Sequence, residues 1–501
     1  MKYVTIFHAN LNYAYLVPEK YETVIRSCYE TIIDTFREVA PEAKYVFEAS
    51  GFTIDTMAEE CPDVVEKLRE AVERGQCEFM GSPYAHPIMA NIPEEDGRWA
   101  CEFAMRAYER HLGFRPESAW NPECTWRQYV PRAFRDVGFK YLTLDFESYM
   151  CSSDKEYAWT EKNRCRDMQW GGNLPRYEVD PDFAPLHHPF RDVVPGLHGF
   201  CRTNRVIGNY IGYFRDQIPL EEYLDGVRRW RGTDESGATI VIAEDAEYTG
   251  TTAYYFVKYH EDYSRSFNAD PQGRQKLERL VEGLNGMGEL ITFREACELE
   301  PVEEPFFVED GSAWHRTTAD AWAGTPEARR WRPILDSIRL DYKQNVQPLA
   351  ESREELRPLA EKFWFHFTNS FNSDGRWPPP PKITCRFNRE WVEDQIEKTR
   401  AALAELKERA AGLPMPESEE REVTWEGSTE YGFFFTEKNP RDLENLNLYE
   451  LQHSLYAAYR LFDNADDEEG REDGRQWIAD CYEEFRRRGF TNMATPKALR
   501  E

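Results

Sequence analysis

The stretch KYVFEASGFTIDTMAEECPDVVEKLREAVERGQCEFMGS, residues 44–82, opens and closes on short β-type runs, KYVFEA (44–49) and CEFMGS (77–82). Between them DVVEKLREAVERG (63–75) spaces its apolar residues as one face of a helix and ends on a glycine. A strand, a helix and a second strand make a βαβ unit, whose two strands run parallel. Working outward, the unit recurs. YVTIFH (3–8), SAW (118–120), YLTLD (141–145), HGFCRT (198–203) and TIVIAED (239–245) are further β-type runs. Helix patterns such as EKYETVIRSCYETIIDTFREV (19–39), EEDGRWACEFAMRAYERHLG (94–113) and PRAFRDVG (131–138) lie between them.

Repeated units of this kind build either a barrel or a doubly wound sheet. The polar residues favour the barrel. His8, Glu48, the SPYAH turn (82–86), Glu123, Asp145, Arg202 and Asp245 all fall at or just beyond the carboxyl ends of their runs, where barrel enzymes build active sites from βα loops. Residues 146–198 carry a GG pair, several prolines and little periodicity, and read as an insertion or lid. After about residue 304 the period becomes helical: EARRWRPILDSIRLDYKQNVQPLAE (327–351), REELRPLAEKFWFHFTNSF (353–371) and NREWVEDQIEKTRAALAELKERAAG (388–412), broken by WPPPPK (377–382). The expected organisation is an α/β barrel over 1–304, a helical bundle over 305–413 and a mostly helical extension over 414–501 that starts at the charged linker PMPESEEREV.

A chain of 501 residues exceeds the size at which one core stops growing, and 41% hydrophobic residues can fill more than one. Against 62 Lys and Arg stand 91 Asp and Glu, a net charge of −29 that repels phosphate backbones and anionic lipid. Nucleic acid and membrane are therefore not expected partners, whereas a neutral sugar suits that field. MKYVTIFHANLNYAY at the start lacks the basic end and apolar core of a signal peptide, and no stretch approaches 18 apolar residues. Eleven cysteines are scattered without a CxxC pair, as expected of free thiols in the cytoplasm. No cofactor is expected. His187, His188 and His198 lack acid or cysteine partners at metal-site spacing and read as loop residues, so no metal is expected either.

Two acidic stretches carry the chemistry. In AWNPECTW (119–126), Glu123 lies between Trp120 and Trp126, where it loses solvation beside rings of the kind that stack on sugars. In VIAEDAEYTG (241–250), Glu244, Asp245 and Glu247 crowd a strand end, and like charges so close raise at least one pKa, as a proton donor requires. Glycoside hydrolysis needs such a pair of carboxyls on either side of the scissile bond.

HANLNY (8–13), GQCEFMGSPYAHPIM (75–89), ESAWNPECTW (117–126), IGNYIGYF (207–214) and DAEYTG (245–250), followed by ELITFREACEL (289–299), SAW (312–314) and WAG (322–324), together resemble the motif series of glycoside hydrolase family 57. That family comprises retaining α-glucan enzymes, among them α-amylases, 4-α-glucanotransferases and branching enzymes. The resemblance implies an incomplete (β/α)7 barrel followed by helices, and an α-glucan or malto-oligosaccharide as substrate. It implies Glu123 as nucleophile and Asp245 as general acid/base in a double displacement, with Glu247 in support. His8, Asn10 and His86 are implied to bind substrate; Trp120, Arg202, Trp314 and Trp377 are further candidates. Asn10 departs from the family's H-x-H pattern: an amide donates and accepts hydrogen bonds but carries no charge. A catalytically silent glucan-binding member stays open on that account. A metal-dependent deacetylase or mannosidase of the wider barrel superfamily is a third reading, but it needs a His/Asp metal triad at strand ends, from which Asn10 removes the most obvious ligand.

Overall fold

The structure, a computed structural model, describes residues 1–153, 179–253, 267–308, 311, 320–323, 325–377, 386–416, 439–446, 448–465, 467–488 and 499. Its nine strands are β1 (Lys2–Ala9), β2 (Tyr45–Ser50), β3 (Cys77–Ser82), β4 (Ser118–Ala119), β5 (Tyr141–Asp145), β6 (Phe190–Val194), β7 (Leu197–Arg202), β8 (Ala238–Asp245) and β9 (Glu289–Ile291). They form one curled sheet in the order β6-β7-β5-β4-β3-β2-β1-β8, with β9 beside the start of β1. Every pairing is parallel except β6 with β7. Among the described residues no ladder joins β7 to β8, so the barrel is incomplete, and each of the seven β-type runs is one of its parallel strands.

Side chains alternate between two apolar layers, as the period of two demands. Val4 and Ile6 of β1, Val46 of β2, Met80 of β3, Phe200 of β7 and Ile240 and Ala243 of β8 share the barrel interior with Trp120 and Cys124. Tyr3, Phe7, Phe47 and Phe79 lie in the outer layer under the helices. Burying each such side chain contributes about 1.5–3 kcal/mol, which makes a register slip costly.

The helix pattern over 19–39 is not one regular helix: Tyr21–Val24 and Thr31–Val39 flank a π-helical turn, Ile25–Glu30. The stretch 146–198 likewise holds more order than its sequence suggests, since helix Phe146–Ser153 and strand β6 lie inside it; residues 154–178 fall outside the described residues. Downstream, the helices Pro326–Asn345, Arg357–Asn369 and Arg386–Ala410 dock on the barrel. Trp364 stacks on Trp99 and Phe365 meets Phe103, both of helix Glu94–Leu112, while buried Arg339 pairs with Asp96. The helices Leu448–Asn464 and Glu468–Arg487 enclose a small separate core of Leu451, Leu455, Ile478 and Phe485. Among the described residues no helix is long and apolar enough to cross a membrane, and Cys28, Cys61, Cys77, Cys101, Cys124, Cys201, Cys297 and Cys481 are buried free thiols.

Candidate active site

The inner rows of the barrel continue upward as polar residues. His8 follows Ile6, Glu48 follows Val46 and Ser82 follows Met80 at intervals of two, so all three inherit the inward direction at the carboxyl ends of their strands. On its other side β1 pairs with β8, and there a bulge matters. Val4 lies opposite Ile240 but Thr5 lies opposite Ile242, so the extra residue shifts β8 by one and sets Asp245, not Glu244, opposite His8. Without it Glu244 would stand opposite His8; with it Asp245 does, and Glu244 still borders the cavity.

His8 donates from Nδ1 to Glu48 Oε2, while His86 Nε2 lies 3.6 Å from Glu48 Oε1 and 2.8 Å from Ser82 Oγ. Burial alone would lower the His8 pKa; the charge and hydrogen bond of Glu48 reverse this and raise it to about 10. Burial likewise works to raise Glu48, and His8 holds it at about 2. His86 is lowered, chiefly by burial, and stays neutral. These three side chains bring ligating atoms within 4.8 Å of one another and, among the described residues, are a group that could hold a metal ion. To do so His8 must give up the proton that it shares with Glu48. Trp120 stacks on the His8 ring, centroids 5.4 Å apart.

Glu123 faces this pair from the loop after β4. Its backbone and that of Cys124 are left-handed, at φ 54° and 45°, as is His86 at 47°, conformations that cost non-glycine residues on the order of 1 kcal/mol each and concentrate at functional sites. Burial first, then the charges of Asp374 and Asp245, push Glu123 to about 8. Burial and Asp245 push Glu244 to about 7. Asp245 is itself raised by burial, against the opposing pull of His8 and a hydrogen bond with Tyr13. Arg202 supplies positive charge: its Nη1 donates to Asp145 Oδ1 at 3.1 Å, and Asp145 Oδ2 accepts from Ser148 N and Oγ at the start of the next helix.

The helical segment closes the site. After helix Arg357–Asn369 the chain turns through residues 370–377 and presents Asp374, pushed to about 7 mainly by burial. Asn372 Nδ2 donates to Ala85 O at 2.8 Å and Ser373 N to His86 O at 3.1 Å, so this loop is pinned to the turn after β3. Asn10 ties the other end: its Nδ2 donates to Asp374 Oδ2 at 3.1 Å and its backbone N to Glu247 Oε1 at 2.9 Å, while Ala14 N donates to Asp374 Oδ1.

His8, Asn10, His86, Trp120, Glu123, Arg202, Glu244, Asp245 and Asp374 thus line one cavity, enclosing about 530 Å³ of empty space that includes its open mouth. Other candidates fall elsewhere. Glu247 is fully buried beneath Asn10, accepts from Tyr29 of the π-turn, and lies outside the cavity lining. The neighbouring Gly250 is required by packing, since a Cβ there would stand 1.7 Å from the Ser27 carbonyl oxygen. Trp126 packs on Phe306 in the core, and Trp377 packs against the core outside the cavity lining. Trp314 lies outside the described residues. His187 and His188 each bond to separate partners, Pro181 O and Asp234. The residue that sequence reasoning misses is Asp374, whose only local signal is an Asn-Ser-Asp-Gly turn, residues 372–375, after a helix.

A family model for glycosyl hydrolase family 57 matches residues 2–305. Over 150 residues, 30% of this chain, the sequence is 29% identical to a 4-α-glucanotransferase of Thermococcus litoralis and 27% identical to an α-amylase of Pyrococcus furiosus. Each match covers 22% of the relative, so the chain aligns with only about a fifth of these curated proteins. Among solved structures, a family 57 branching enzyme of Thermococcus kodakaraensis superposes with a TM-score of 0.59 at 14% identity, over 82% of this chain and 91% of that one. The Thermococcus litoralis 4-α-glucanotransferase gives 0.53 at 16%, over 80% and 59%. At those identities the likeness is one of fold. The family model, by contrast, takes in more than half of the sequence, including both acidic stretches, and the chain belongs to glycosyl hydrolase family 57.

Proposed function

We propose that the protein is a retaining glycoside hydrolase or transglycosylase acting on α-glucans, with Glu123 as nucleophile and Asp245 as general acid/base. One observation carries this reading: two half-buried carboxyls, carried by different strands of the barrel mouth, line a single cavity beside an indole. In the first step Glu123 attacks the anomeric carbon, the bond to the leaving oxygen breaks, and the Asp245 proton passes to that oxygen. In the second, Asp245 takes a proton from water or a sugar hydroxyl, which attacks the anomeric carbon and releases Glu123. The productive form has Glu123 ionised and Asp245 protonated, a distribution that belongs to the coupled pair. His8, His86, Arg202 and Asn10 hold sugar hydroxyls, and Trp120 offers a ring face. In this reading residues 1–304 form the catalytic barrel and 305–413 contribute Asp374. The free thiols support a reducing compartment, the cytoplasm.

The test is to incubate the protein and its Glu123→Gln variant with a linear malto-oligosaccharide of one length and resolve the products by size. Shorter chains alone mean hydrolysis; a ladder above and below the starting length means glucan transfer; new branch points mean branching. Products formed equally by the variant overturn the assignment of Glu123. A protein that neither converts nor binds the oligosaccharide overturns the substrate class.

A further inference from the structure

A second cavity shares no lining residue with the first. It lies between residues 88–92, the segment around Trp322 and helix Pro326–Asn345, and encloses about 350 Å³ of empty space, part of it open to solvent. Its walls are apolar, formed by Ile88, Ile92, Trp322 and Phe371, yet two arginines enter it, Arg332 and Arg376. Arg376 is only 7% exposed. Its guanidinium lies 5.1 Å from the Trp331 ring centre and 5.3 Å from that of Phe371, an arrangement that holds a cation in place by its aromatic neighbours. Nη1 donates to Asn372 O at 3.1 Å, and Nη2 is buried with no acceptor.

The charge balance is what makes this unusual. Among the described residues no carboxylate pairs with Arg376, and the charged group that acts on it is another cation, Arg332. Burial and then Arg332 depress the Arg376 pKa to about 9. Arg332 has a carboxylate, Asp336, which accepts from its Nε at 2.9 Å, and its Nη1 donates to Asn91 O at 2.8 Å. Arg376 has no such partner among the described residues. A buried arginine without a counter-charge is costly unless something supplies one, and guanidinium geometry suits a planar or tetrahedral oxyanion.

We propose that this cavity binds one small oxyanion, of phosphate size, through Arg376 with Arg332 alongside. The occupant also bears on the active site. Arg376 is two residues from Asp374 and grips the carbonyl of Asn372, whose own side chain accepts from Gly375 N and donates to Ala85 O. Filling the cavity stiffens the loop that presents Asp374. The overall charge of −29 does not prevent entry, because exposed charges are screened over about 8 Å at physiological salt.

The experiment is equilibrium dialysis of the full chain against radiolabelled inorganic phosphate at constant ionic strength. Saturable uptake of one phosphate per chain is expected, and Arg376→Gln should weaken it by about tenfold or more. Displacement by sulfate but not acetate identifies a tetrahedral oxyanion, and equal displacement by acetate identifies a carboxylate; either supports the site. Hydrogen exchange of the unaltered protein provides the second readout, with phosphate expected to protect peptides spanning 325–337 and 370–377. Lack of saturable uptake, unchanged uptake in a folded Arg376→Gln variant, or protection confined to other segments each overturns the proposal.

Discussion

Glu48 and Glu123 occupy comparable places at the carboxyl-end face of the barrel, Glu48 fully buried near the end of β2 and Glu123 half-buried in the loop after β4, yet their proton affinities lie far apart. Glu48 is held at about 2 and Glu123 is pushed to about 8. Burial acts on both in the same upward sense, so it cannot be the cause of the difference. Glu48 has the His8 imidazolium in contact; Glu123 has Asp374, Asp245 and Glu244 near it, with His8 as the countervailing charge. Neighbours, not depth, set the sign. One side of the pocket is therefore a charged pair, and the other is a group of mutually repelling acids whose pKa values are raised. A fixed cation beside an exchangeable proton is what general acid–base chemistry requires.

The sharpest way to break this comparison is to remove the acids one at a time. Glu123→Gly and Asp245→Gly should each lower turnover by about 10⁴-fold or more, and azide should distinguish their roles. In Glu123→Gly, azide replaces the nucleophile in a single displacement and gives a product of inverted configuration. In Asp245→Gly, azide attacks the glycosyl-enzyme and gives a retained one. Product stereochemistry by proton NMR decides, and the opposite pattern exchanges the two assignments.

On the other side of the pocket, Glu48→Gln leaves a buried imidazolium without its partner. Unfolding in denaturant should show a loss of about 3 kcal/mol, and the His8 ring should then titrate near or below its ordinary value. In the unaltered protein the pair contributes over a defined window. The share from His8, raised to about 10, is complete below about 6.5 and lost as pH rises through 10. The share from Glu48, lowered to about 2, is complete above about 4.5 and lost as pH falls through 2. Histidine NMR should accordingly show neither His8 nor His86 changing charge between about pH 7 and 9. A His8 transition near 6.5 in the unaltered protein removes the basis of the comparison.

The strands, and the residues at their ends, are legible in the sequence because both follow from the period of two. A run such as YVTIFH announces its inner row, Val4, Ile6 and His8, and the same logic locates Glu48 and Asp145. What the period cannot convey is pairing across long separations. Asp374 reaches the cavity from a helix-end turn more than a hundred residues beyond Asp245, and no repeat marks it. Which of Glu244 and Asp245 stands opposite His8 depends on a bulge that appears only when β8 is laid against β1. Trp120 and Trp126 have the same sequence context, yet one stacks on His8 and the other on Phe306. Asn10, read as a departure that weakens the site, turns out to hold Asp374 in place with an uncharged donor.

Two smaller effects probe the acidic side. Glu123 keeps a proton in the folded chain that the unfolded chain releases, so its raised value costs stability as pH climbs from about 4.5 through 8. Glu123→Gln should therefore be as stable as the parent at pH 5 and more stable at pH 8.5, by about 2 kcal/mol; equal stability at both pH values shows that the carboxyl is not perturbed. Asp374→Asn tests the same crowding without touching the nucleophile. It removes the largest charge acting on Glu123 and keeps one acceptor oxygen, enough for the bond from Ala14 N or from Asn10 Nδ2 but not for both. Glu123 should then ionise more readily, and the limb of the kcat/KM profile governed by it should move to lower pH by about half to one unit. A profile that keeps its position while activity falls assigns Asp374 to substrate contact alone. A profile that moves shows that the helical segment helps set the proton affinity of a carboxyl carried by the barrel.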